Sequence, residues 1–266
     1  MYATLTGLIA VIFYSLGSFY QSQNLASNRH NRHKVLACGV IAVLTHLLNV
    51  YWVILTPEGP DFGFFKIATL LSWSIAVLVL LSSLKKPLDN LFLGLFPLAV
   101  ISIILSTTME STYTPQADYS TGVASHILLA ILATSIITIA AFQAVFIAFQ
   151  DYKLKHIHSF RLLKRLPPLQ TMEALLFEIV WVGLLLLSGV IVTGIIYMED
   201  LYAQHLSHKL VLSIIAWCVF AVLLWGRHQL GWRGATAIRW TLAGFIFLVL
   251  AYFGSKFVLE LVLNQA

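Results

Sequence analysis

Eight stretches of roughly twenty predominantly apolar residues recur along the chain, near 2–21, 35–55, 67–84, 91–107, 123–149, 174–197, 208–226 and 240–263. A helix of that length spans the hydrocarbon core of a bilayer, and only helices or closed barrels satisfy their backbone polar groups there. Apolar residues make up 59% of the chain and charged ones 10%, against about 45–50% and about 25% in soluble domains. Too few charges remain to cover a water-facing surface, so a soluble fold is excluded. The expectation is an all-α polytopic membrane protein of about eight transmembrane helices, forming a single membrane domain over residues 1–266. The first stretch, ATLTGLIAVIFYSLGSFY, has neither a basic start nor a small-residue cleavage site, so it reads as a span and not a signal peptide. The longest connection, about 150–173, is too short for a soluble domain, and neither an internal repeat nor a low-complexity tract is visible.

The loops set the expected orientation. Of the 16 lysines and arginines, all but Lys66, Lys209 and Lys256 fall in alternate connections, which the positive-inside rule assigns to the cytoplasm. Glu58, Asp61, Glu110, Asp118, Glu199, Asp200 and Glu260 fall on the other side. Both termini are therefore expected on the outer (periplasmic) side. The run KLKHIHSFRLLKRLPP reads as a linker facing lipid headgroups. A net charge of +5 distributed in this way orients helices, and nucleic acid is not expected as a partner. Cys38 and Cys218 lie far apart in apolar runs and read as packing residues.

Within the spans, Pro97 is expected to kink the fourth helix. Gly183, Gly189 and Gly194 are expected to allow close helix approach in the sixth. Polar side chains at membrane depth carry functional weight by default. His30, His33, His156, His158 and His228 sit in basic loops and read as solvated, whereas His46, His126, His205 and His208 lie in spans or at their outer ends. His126 opens the fifth span and His208 the seventh, so both belong near one membrane surface.

A neutral imidazole offers one unprotonated nitrogen, and two from separate helices can take both axial positions of a haem iron. An apolar macrocycle suits the helix surface, with Tyr197, Tyr202, Trp217 and Trp181 as aromatic neighbours and Lys209 for the propionates. His205 and His208, three apart, fall on one face if the seventh helix begins early, and either can be the partner of His126. The same pair with Glu199 and Asp200 also permits a divalent-metal site, and hydrated interfacial histidines are the third reading. His46 lies eleven residues into its span, roughly 17 Å deep. Asn49 shares its helical face and is expected to hold its second ring nitrogen. His46 reads equally as a ligand and as an interhelical hydrogen-bonding residue. Glu178 reads as snorkelling toward water.

Four stretches together resemble the haem-handling cytochrome c assembly family, the CcsA/CcmC type, and most closely its YpjD-like inner-membrane branch. They are GVIAVLTHLLNVYW, SHILLAILATSIITIAAFQAVFIAFQDYKLK, LPPLQTMEALLFEIVWVGLLLLSGVIVTGIIY, and the terminal pair from His208 to Phe257 with Gly231-Trp232-Arg233-Gly234 and Tyr252-Phe253-Gly254. The resemblance implies noncovalent binding of haem b near the outer face, with His126 as the first outer haem histidine, and other cytochrome maturation or membrane-complex proteins as partners. Where the family carries a tryptophan-rich WWD segment this chain has MEDLYAQHLSHK, and the histidine that often follows the last helix is absent. No nucleophile, oxyanion device or phosphate loop is present, so a haem-binding assembly factor is expected and not a catalyst. The alternatives are an accessory membrane protein that kept the fold and lost haem, or a divalent-metal or electron-transfer component.

Overall fold

The computed structural model describes residues 1–26, 31–109, 113, 119–156, 167–197, 207–254 and 257. Its helices are α1 (Tyr2–Ala26), α2 (Arg32–Ile54), α3 (Phe64–Ser83), α4 (Phe92–Thr108), α5 (Thr121–His156), α6 (Leu169–Tyr197), α7 (Ser207–Gln229) and α8 (Gly234–Val249). A 3₁₀ turn, Asp89–Leu91, leads into α4, and α8 widens into a π turn over Leu250–Gly254. Among the described residues, eight helices are long and apolar enough to cross a membrane, and the chain is an all-α polytopic membrane protein.

The helix ends follow local chemistry more closely than hydropathy. α5 continues past the apolar run through QDYKLKH, where the polar side chains are tolerated because the helix backbone satisfies itself. α6 starts five residues ahead of its apolar run, directly after Pro167 and Pro168, and the Pro168 carbonyl accepts the Met172 N–H. Proline is well suited to a helix start. α2 stops at Ile54 because Pro57 disfavours helical backbone at the residue before it. The chain there makes a departure from pure helix, a two-residue antiparallel ladder of Leu55–Thr56 with Gly59–Pro60. Gly59 takes a φ of 123°, a left-handed conformation that side chains resist.

The helices group into two compact units. The first holds α1 to α4, with α1 and α3 each packed along both α2 and α4. Its centre is aromatic: Tyr14, Phe92 and Phe96 are fully buried, with the Tyr14 and Phe96 rings 5.1 Å apart. Gly17 makes room for the Phe96 ring. At the end carrying the basic loops, Arg32 pairs with Asp89 at 2.9 Å and donates to the Ser83 carbonyl at 2.7 Å. That contact ties the start of α2 to the turn between α3 and α4, as loops on one side of a membrane require. Pro97 lies inside α4 on its exposed face.

The second unit holds α5 to α8. Here α5 packs along α6 and α8, and α7 packs along the same two, so α5 and α7 occupy opposite corners. Ile137, Ala140, Ala144, Ile147, Leu176 and Phe220 form its core. The Phe220 ring lies where a side chain at Gly244 would stand. The Trp232 N–H returns to the Gly226 carbonyl at 3.1 Å and the Trp232 ring lies over Gly226, closing the α7–α8 turn.

Candidate functional site

The seam between α5 and α6 is antiparallel and built on small residues. Tyr197 covers Gly122, His126 meets Gly194, Leu129 meets Gly189, and Ile136 and Ile137 meet Gly183. All three α6 glycines thus face α5, as close approach requires. At the far end Gln143 donates to the Met172 carbonyl and Gln150 to the Pro167 carbonyl, both at 3.0 Å.

His126 stands on the second turn of α5, half-buried, with Nδ1 3.0 Å from the Thr193 Oγ1 and its Cε1 against Gly194. A β-carbon at Gly194 would stand 3.1 Å from that ring atom. Thr193 spends its hydroxyl proton on the Gly189 carbonyl at 2.7 Å. Nδ1 is thus the ring nitrogen turned to the Thr193 hydroxyl. An imidazole that carries its proton on Nδ1 keeps a lone pair on Nε2, the form in which it binds a metal.

His208 lies in the first turn of α7 and is exposed. The Trp217 indole N–H donates to Ser188 Oγ at 2.8 Å and sets the register of α7 against α6. Counted from that tie at about 1.5 Å per residue, His208 stands level with Tyr197, roughly one turn beyond His126 on the opposite corner of the unit. His205, Tyr202, Glu199 and Asp200 lie outside the described residues, and with them most of the divalent-metal reading. Among the described residues no three His, Cys, Asp or Glu side chains converge as a metal site needs.

Two expectations about neighbours are corrected. Trp181 is 45% exposed and twelve residues before Thr193 on α6, about 18 Å along the helix, too far to line a site at His126. Trp217 is held against α6 by Ser188. Asn49 does not hold His46: its amide donates to the Ala3 carbonyl at 2.8 Å, next to Gly7. His46, fully buried in the first unit, instead has Nδ1 3.2 Å from the Tyr14 hydroxyl and Nε2 2.9 Å from the Thr69 hydroxyl. The Tyr14 ring is set edge-on to the imidazole, with centroids 5.7 Å apart. Both ring nitrogens are thereby engaged and α1, α2 and α3 are bonded through one side chain. Glu178 is exposed on α6.

Glu173 escaped the sequence reading. Its carboxylate is buried, accepts the Gly234 N–H at 2.8 Å and lies 3.3 Å from Arg233. It caps the start of α8 and anchors the Gly231-Trp232-Arg233-Gly234 turn, in which Gly231 and Gly234 take φ values of 66° and 52°. The available signal was an acid beside a basic turn on the same side of the membrane. Glu173→Ala is expected to lower the unfolding free energy in detergent by about 1–3 kcal/mol, the cost of an orphaned buried donor. Glu173→Gln, which keeps an acceptor for Gly234, should recover most of it. The Arg233 side chain is 53% exposed, so the ion pair itself contributes little. Equal losses for the two variants would refute the capping role.

Residues 34–263 match the family described as Cytochrome C assembly protein. Over 258 residues, 96% of this chain and 98% of the relative, the chain is 31% identical to "Inner membrane protein YpjD" of Escherichia coli (strain K12). It is 26% identical over 250 residues, 89% of each, to "Protein HemX" of Brevibacillus brevis. No solved structure matches it.

Proposed function

This chain belongs to the Cytochrome C assembly protein family, and from that membership we propose that it binds haem b noncovalently near the outer face of the inner membrane, through His126 with His208 or His205. It is a multi-pass inner-membrane protein with a haem-related function. Haem is cargo in this reading, handled during cytochrome c assembly and exchanged with other maturation or membrane-complex proteins, and no bond-making step is assigned to the chain.

The observation that carries the proposal is the state of His126. Its Nδ1 is turned to the Thr193 hydroxyl on α6, and no hydrogen bond to its Nε2 occurs among the described residues. Metal-ligating histidines have this arrangement, with the second nitrogen donating to a neighbouring oxygen. His208 supplies the second imidazole from α7, or His205 does. Tyr197 and Trp217 offer apolar surface, and the positive charge of Lys209 suits a propionate. When bound, the iron porphyrin would supply redox activity, and the chain's own part is to hold it at the iron and keep it from water. The sidedness rests on the basic loops and on the pairing of Lys66 with Asp61 at the opposite end of the first unit.

Protein purified in detergent from haem-sufficient cells is expected to give b-type bands in a reduced-minus-oxidised absorbance spectrum. A colourless preparation that also fails to take up added haem would overturn the proposal. It would favour the second reading, an accessory membrane protein that kept the fold without its ligand, for which the lack of tryptophan in MEDLYAQHLSHK speaks.

A further inference from the structure

We infer that Thr193 is a positioning residue for His126: its hydroxyl oxygen holds the imidazole proton on Nδ1 and so presents Nε2 as the ligating atom. The assignment of Nε2 to an iron rests on the haem reading above, whereas the placement of the proton does not.

The geometry favours one role for the hydroxyl. Thr193 donates to the Gly189 carbonyl at 2.7 Å, the shortest of its contacts, with the Val190 carbonyl 3.2 Å away, and a proton kept there stays within α6. What it then turns toward α5 is a lone pair, its oxygen 3.0 Å from His126 Nδ1. Were Nε2 protonated instead, the hydroxyl would have to give up the 2.7 Å bond to the Gly189 carbonyl and turn its proton toward Nδ1. Gly194 adds a steric condition. Its missing side chain lets the imidazole edge lie on the α6 backbone, and a methyl group would meet Cε1 at 3.1 Å. Threonine selects which nitrogen is free and glycine sets how near the helix the ring lies. The two are adjacent because the α5–α6 seam brings one turn of α6 against His126. An oxygen accepting from the second nitrogen also raises the basicity of a ligating imidazole, which favours the oxidised iron.

The test uses the full-length protein in detergent, wild type beside Thr193→Val, Thr193→Ala and Thr193→Ser, with folding checked by circular dichroism and gel filtration. Nitrogen-15 NMR of histidine-labelled, haem-free protein is expected to show His126 protonated at Nδ1 in wild type and Thr193→Ser. In Thr193→Val and Thr193→Ala it should show a mixture of the two neutral forms. On titration with haem, the valine and alanine variants should bind about 10–100-fold more weakly, with a higher midpoint potential, and serine should restore both. Should valine unfold, alanine carries the same expectation. Wild-type-like NMR signals in either folded variant lacking the hydroxyl would overturn the inference, as would an unchanged haem affinity and potential. If no variant takes up haem, the haem reading fails, and the NMR comparison still decides whether Thr193 places the proton.

Discussion

Replacing His126 by alanine is expected to strip the purified protein of haem, with absorbance bands falling below about a tenth of wild type. Loss of an outer partner of a ligand costs roughly 10–100-fold in metal affinity, and loss of the ligand itself should exceed that. The variant is expected to fold, because His126 is only half-buried and gives up one neutral hydrogen bond, worth about 1 kcal/mol. His33→Ala and His228→Ala, exposed at the end carrying the basic loops, should leave the bands unchanged. Parallel alanine variants of His208 and His205 identify the second ligand by which one bleaches the protein. An undiminished spectrum in His126→Ala would place the haem elsewhere and remove the basis of the functional reading.

His46→Ala is expected to have the largest effect on stability. The side chain is fully buried and its two nitrogens are bonded to hydroxyls from two other helices. Truncation leaves a cavity and deprives the Tyr14 hydroxyl of its partner, together about 3–5 kcal/mol. Tyr14→Phe removes a single interhelical hydrogen bond and should cost about 1 kcal/mol. Because the two residues touch, the double variant should cost less than the sum. Unfolding in mixed micelles measures all three, and a loss below about 1 kcal/mol for His46→Ala would deny His46 this bridging role. Haem content per folded molecule separates the two readings of His46. We expect it to stay within twofold of wild type, and bleaching like that of His126→Ala would make His46 a ligand.

The eight spans were legible because apolar length alone specifies a bilayer helix. Their ends were less so, since Pro57 and the Pro167-Pro168 pair moved boundaries that hydropathy placed elsewhere. His126 could be singled out as an ionisable group in an apolar run. Thr193 could not, because a threonine in a membrane helix gains meaning only from the residue facing it, and His126 is 67 positions away. Glu173 was missed for the same reason: its partners, Arg233 and Gly234, are sixty or more positions along the chain. Asn49 misled because helical spacing places it on the face of His46 without saying where the ring reaches. The imidazole found hydroxyls on α1 and α3, and Asn49 turned to the start of α1.

If haem is held at His126 as proposed, the interdigitation of α5 with α6 means that cargo and helix register cannot vary independently. A slip of one turn, about 5 Å, would carry the imidazole off Thr193 and Gly194 and dissolve the setting that frees its outer nitrogen. Linkage is reciprocal: an iron held at that nitrogen would resist the slip by the same free energy that the slip would subtract from its grip. Loading would stiffen the helix pair, and anything that pried the pair apart would act as an unloading lever.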